Sequence, residues 1–109
     1  MSVDDAGIEA EFGEVVNMTP NELERWLDTE ESRSAGQKDG GGESTGHASG
    51  RRIVELLRTK SSDLTGDDRA HMNKVVGYVH RHLAQRPSGD VEHTRWRYSL
   101  MNWGHDPLK

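Results

Sequence analysis

Between Thr65 and Pro87 the chain carries Met72, Val75, Val76, Val79 and Leu83, apolar residues recurring at i, i+3, i+4, i+7 and i+11. That spacing fits the 3.6-residue repeat of an α-helix and no other regular element. Thr65 stands where a capping residue belongs. Asp67 and Asp68 complement the positive end of the helix dipole, and Arg81 and Arg86 complement the negative end. Pro87-Ser88-Gly89 stops the helix. A helix with one long apolar stripe must cover it. Because no stretch of the sequence alternates convincingly with period two, the covering elements are expected to be helices as well.

Four further helices can be read by the same means. Ile8, Phe12, Val15 and Val16 share a face from 8 to 16. Thr19-Pro20-Asn21-Glu22 has the form of a capping box with proline at the first helical position, followed by Leu23, Trp26 and Leu27. Ile53, Leu56 and Leu57 are in register, with Val54 on the flank, before Thr59-Lys60-Ser61-Ser62. The last helix is expected over 91–103, with Asp90 as its candidate cap and Trp96, Leu100 and Trp103 on one face. Gly104 is placed to end it, and Pro107 follows.

From 28 to 49 the pattern vanishes into glycine and polar residues, which predicts a long Gly-rich loop between the second and third helices. The fold expected is therefore all-α, a compact single domain of about five helices over 8–109. Residues 1–7 are expected to form a flexible acidic N-terminus. The centre of the core is expected on Met72, Val75, Val76, Val79 and Leu83, flanked by Trp26, Leu57, Trp96 and Trp103.

Composition narrows the function classes. A length of 109 residues suits one domain, and a hydrophobic fraction of 31% requires its core to be small. There is no cysteine, which removes disulfides, thiolate metal sites and cysteine nucleophiles together. The N-terminus is acidic where a signal peptide is basic, and no apolar run approaches the ~18 residues of a membrane span. A cytoplasmic location is expected. Asn17-Met18-Thr19 spells a glycosylation sequon, which without an export signal reads as chance.

The net charge of −5 conceals an asymmetry: residues 1–50 carry −9, whereas residues 51–109 carry +4 and five of the six histidines. Such a split either draws the two halves together or marks an anionic partner.

Several motifs bear on chemistry. Gly42-Glu43-Ser44-Thr45-Gly46 matches G-x-S-x-G, but Lys38-Asp39-Gly40-Gly41 cannot be the strand a nucleophile elbow requires. Gly46-His47-Ala48-Ser49-Gly50-Arg51-Arg52 resembles a phosphate loop only superficially, since its glycines are too close and arginine replaces Gly-Lys-Ser/Thr. Arg51 and Arg52 are nevertheless expected in the first turn of the third helix, where the dipole disfavours positive charge by roughly 0.3–1 kcal/mol each. A carboxylate such as Glu43 would relieve them, as would a phosphate. Thr94-Arg95-Trp96-Arg97-Tyr98 interleaves cations with aromatics, a composition used against nucleic acid, although Trp96 shares its face with Leu100 and Trp103. His80 and His82 are two apart on a helix and point in divergent directions, so no metal site is expected.

Gly50 to Leu57, His71 to Pro87 and Thr94 to Lys109 together resemble a small bacterial family, domain of unknown function 3140, from about Met18 onward. Members are sometimes labelled DNA-binding. The resemblance implies no catalytic residue and no cofactor, and it raises the expectation of nucleic-acid binding. The function expected is weak, salt-dependent binding of nucleic acid through phosphate, without sequence-specific readout. Arg51 and Arg52 are its centre, with Arg95, Arg97, Lys74 and Arg81 widening the patch. The alternative is a non-enzymatic protein-interaction or stress-associated accessory protein, in which the arginines close internal ion pairs. An enzyme is not expected.

Overall fold

The computed structural model describes residues 5–35 and 45–109. Among these residues the protein is all-α. Six helices follow in order: α1 (Asp5–Val15), α2 (Pro20–Leu27), α3 (Glu30–Ala35), α4 (Thr45–Leu57), α5 (Gly66–Leu83) and α6 (Arg95–Asn102). No described helix is long and apolar enough to cross a membrane.

The caps explain three of the helix starts. Thr19 accepts a hydrogen bond from the Glu22 N–H at 3.1 Å while Glu22 accepts from the Thr19 N–H at 2.9 Å. Thr65 and Asp68 close the same reciprocal box ahead of α5. For α6 the cap is Thr94, whose hydroxyl accepts from the Arg97 N–H at 3.2 Å. Asp90 instead holds the Glu92 N–H at 2.9 Å in a turn, so α6 is shorter than its apolar spacing suggests. Gly104 follows the Trp103 C-cap at φ 81°, a left-handed conformation that glycine adopts without strain.

The expected loop at 28–49 is interrupted at both ends. α3 occupies Glu30–Ala35 and α4 begins at Thr45. Residues 36–44 of the expected loop, with Glu43 and Ser44 of the G-x-S-x-G match, lie outside the described residues. At the other end of the chain α1 starts at Asp5, ahead of the expected Ile8. Residues 1–4 of the expected flexible N-terminus also lie outside the described residues.

α1 packs mainly on α5, α2 on α4, and α3 on α6. Between them lies one core in which Leu23, Ile53, Val75, Val79 and Leu100 are fully buried. Met72 and Val76 are buried with them, whereas Leu83, Trp26 and Leu57 are only partly covered. A polar knot is set into this core. Asn102 Oδ1 accepts from the Trp26 indole N–H at 2.8 Å and from the Ser32 hydroxyl, and its amide donates to the Ser32 carbonyl at 2.9 Å. This knot fixes α6 against α2 and α3.

A second set of bonds closes the fold at 104–109. Asn17 exchanges two hydrogen bonds with the Asp106 backbone, at 2.9 and 2.7 Å, so the amide of the sequon is engaged. His105 Nδ1 donates to the Val15 carbonyl at 2.7 Å, and Lys109 reaches both the Asn17 carbonyl and Glu22. The Lys109 ammonium and the Thr19 backbone N–H hold the Glu22 carboxyl down at about 2.

Candidate nucleic-acid interface

The six expected cations are distributed over three elements. Arg51 and Arg52 do not begin a helix: α4 starts at Thr45, which puts both near its middle. Dipole effects fade beyond the first turn, so the electrostatic conflict expected at Arg51 is not present. Arg52 Nη2 sits 3.3 Å from Asp68 Oδ1, a carboxylate of the C-terminal half rather than of the acidic N-terminal half. That carboxyl is held below its usual range, chiefly by the Thr65 backbone N–H, with the Thr65 side chain and Arg52 adding to it against burial. Arg51 and Arg52 line an open depression of about 530 Å³ with Ala48, Glu55 and Asp68.

Arg95 and Arg97 do not join them on one exposed face. Arg95 donates to the Ser34 carbonyl at 3.1 Å, on the last turn of α3, where a cation complements the helix dipole. Arg97 makes a bidentate pair with Asp106, Nε to Oδ1 at 3.2 Å and Nη2 to Oδ2 at 3.1 Å, and donates to the Glu92 carbonyl at 2.9 Å. With side-chain exposures of 18% and 14%, the Arg97–Asp106 pair is a structural joint between α6 and the following turn.

Lys74 and Arg81 remain exposed on α5, two turns apart, and Arg86 lies exposed just beyond its end. Arg81 folds back along the helix, its guanidinium 3.1 Å from where a β-carbon on Gly77 would stand. Burial, foremost, opposes protonation of His71, and the charges of Arg52 and Lys74 oppose it further. Arg69 faces the other way, towards α1, where it meets Glu9 at 3.4 Å.

Beside this cationic edge runs a column of stacked rings that the apolar spacing does not reveal. His71 lies on Trp103 (centroids 6.3 Å apart), Trp103 on Tyr78 (4.1 Å), Tyr78 on His82 (5.3 Å) and His82 on Trp96 (6.2 Å), with every interplanar angle between 13° and 16°. The Arg86 guanidinium stands 5.3 Å from the Trp96 centroid. α5 supplies the column at positions 71, 78 and 82, while α6 and its C-cap supply 96 and 103. Helical spacing therefore carries the signal, but it is masked because histidine and tyrosine read as polar in an apolar pattern.

A family model described as a protein of unknown function, DUF3140, matches residues 11–101. The chain belongs to the DUF3140 family. No curated protein and no solved structure matches it. The DUF3140 match takes in all six candidate cations and the column residues His71, Tyr78, His82 and Trp96. Trp103 and Asp106, which complete the column and the Arg97 pair, fall just beyond it.

Proposed function

We propose that this DUF3140 protein binds nucleic acid through backbone phosphates along the exposed edge of α5. The observation that carries the reading is the charge of one segment. From Arg69 to Gly89 the chain holds Arg69, Lys74, Arg81 and Arg86 and no aspartate or glutamate. Arg69 is engaged with Glu9, which leaves Lys74, Arg81 and Arg86 exposed on a chain that is acidic overall. Lys74 and Arg81 are separated along the helix axis by about 10 Å, a span that lets two cations meet different phosphates of one nucleic acid.

The centre of the proposed interface is accordingly α5 rather than Arg51 and Arg52. Arg97 has no part in it, since its guanidinium is committed to Asp106. With three exposed cations along this edge and a net charge of −5 overall, affinity is low and falls steeply with salt. Contacts of this type carry no base readout.

The test is fluorescence anisotropy of labelled duplex DNA at low ionic strength. Lys74→Glu/Arg81→Glu should abolish binding, while Arg51→Glu/Arg52→Glu should weaken it less. Absence of binding by the native protein, or unchanged affinity in Lys74→Glu/Arg81→Glu, would refute the reading.

A further inference from the structure

The two histidines of the ring column are placed where a proton is hard to accommodate. His82 lies between Tyr78 and Trp96, and its Nε2 is buried without a hydrogen-bond partner among the described residues. His71 lies on Trp103 and pairs through Nε2 with the Ser49 hydroxyl of α4 at 2.9 Å. Charged groups act on it from two elements: Arg52 of α4, and Lys74 and Asp68 of α5. From α6 and its C-cap, the two histidines are met by the indoles of Trp96 and Trp103. The indole N–H of Trp96 donates to the His82 carbonyl at 2.7 Å. α1 meets α5 through the Glu9–Arg69 pair.

We propose that the ring column is a proton-operated joint: protonation of His71 and His82 opens the seam between α5 and α6 while the helices themselves persist.

Several observations support this. A protonated His82 would bury an N–H with no acceptor among the described residues, which costs far more than an unpaired neutral nitrogen. A protonated His71 would add a third positive charge beside Arg52 and Lys74. Asp68 offsets this only in part, because it already serves Thr65 and Arg52. Cation–π attraction to Trp96 works in the opposite direction, but that indole already carries Arg86. Burial, foremost, holds both imidazoles below their ordinary titration range; at His82 it outweighs a hydrogen bond to the Trp96 backbone that favours the proton, and at His71 Arg52 and Lys74 add to it against Asp68.

The anchorage of the two helices makes the seam the place that yields. α6 is fixed on its far side by the Asn102 knot, and α5 is fixed on its far side by α1. Across the seam itself, α6 and its C-cap meet α5 through the rings and the Trp96 indole N–H on the His82 carbonyl, whereas the Ser49–His71 bond and the Arg52–Asp68 pair tie α5 to α4.

The sign follows from the direction of the shifts. A histidine whose folded-state value is depressed favours the closed seam fully above its ordinary value of about 6.5, and that preference is lost as pH falls below it.

The experiment follows the tryptophans by near-UV circular dichroism and helix content by far-UV dichroism, from about pH 7.5 to about pH 5. Imidazole titrations of the native protein are recorded by NMR in parallel. Both histidines should titrate below about 6.5. The near-UV signal should fall by at least about half with the same midpoint while the far-UV signal holds, as expected when packing is lost before helices. His71→Phe/His82→Phe keeps the rings and removes the protons, so its near-UV signal should stay level. His80→Gln, at an exposed position of the same helix, should behave as the native protein. An unchanged near-UV signal down to about pH 5, or an equal acid response in the doubly substituted chain, would overturn the proposal. So would either imidazole titrating at its ordinary value. The NMR titration decides the matter even where that variant does not fold.

Discussion

The carbonyl oxygen of Asn102 lies so close to Gly50 that a β-carbon on that glycine would stand 2.5 Å from it. The Leu27 side chain would be met at 2.7 Å on the same side. α4 and α6 therefore touch backbone to backbone, and only glycine allows it. Gly50→Ala should cost about 1–3 kcal/mol through overpacking. Gly13→Ala is the control, at an exposed helical position with nothing within 4 Å, and should be neutral or stabilising by up to ~1 kcal/mol. Urea unfolding of the two variants separates the effects, and equal midpoints would contradict the close approach.

Removing the centre of the polar knot should be worse than removing its edge. Asn102→Ala strands the Trp26 indole N–H and the Ser32 hydroxyl and takes a donor from the Ser32 carbonyl, and a buried group left without its partner costs about 1–3 kcal/mol. Ser32→Ala leaves Asn102 Oδ1 still bonded to Trp26. Thermal unfolding should rank the native protein above Ser32→Ala, and Ser32→Ala above Asn102→Ala.

The Arg97–Asp106 pair sets part of the acid limit. The Asp106 carboxyl is lowered by the Arg97 hydrogen bonds, with the Leu108 N–H and Lys109 adding, against the opposing effect of burial. A depressed carboxylate contributes stability above its ordinary value of about 3.8, and that contribution is lost as pH falls through the folded value. Asp106→Asn should thus destabilise the protein near neutrality and flatten its stability profile below about pH 4. Arg97→Lys should not rescue the joint, because an ammonium cannot make two parallel bonds to one carboxylate. Denaturant midpoints measured across pH provide the check.

If Lys74 and Arg81 each meet a phosphate, log K should fall linearly with log salt by ~0.9 per phosphate contacted. Replacing either residue by alanine should lower that slope by about 1, uniformly across DNA sequences. A slope unaffected by both substitutions would place the contacts elsewhere.

The parts of this fold that local chemistry decides were readable in advance. The α5 stripe, the Thr19–Glu22 box and the Thr65 cap are all written within a few residues of themselves. The parts decided by distant neighbours were not. The first half of α4 reads as loop because Gly46, His47, Ser49 and Gly50 are poor helix formers, yet the last three meet partners from other elements. His47 reaches the Leu27 carbonyl at 2.7 Å, Ser49 meets His71, and Gly50 admits α6. That misplaced helix start is why Arg51 and Arg52 looked electrostatically displaced when they are mid-helix residues. Arg97 and Arg95 likewise took their partners from Asp106 and Ser34, which no spacing rule connects to them.

The clasp at 104–109 has a kinetic consequence. Helical domains owe their speed to contacts close in sequence. Here Asn17 and Asp106 are 89 positions apart and Val15 and His105 are 90, so these bonds must wait for a very long loop to close. The clasp should therefore form after the folding barrier has been crossed. Asn17→Ala should leave the refolding arm of the chevron nearly unchanged and raise the unfolding rate. What these residues govern is how long the molecule stays folded, while how fast it folds is set elsewhere.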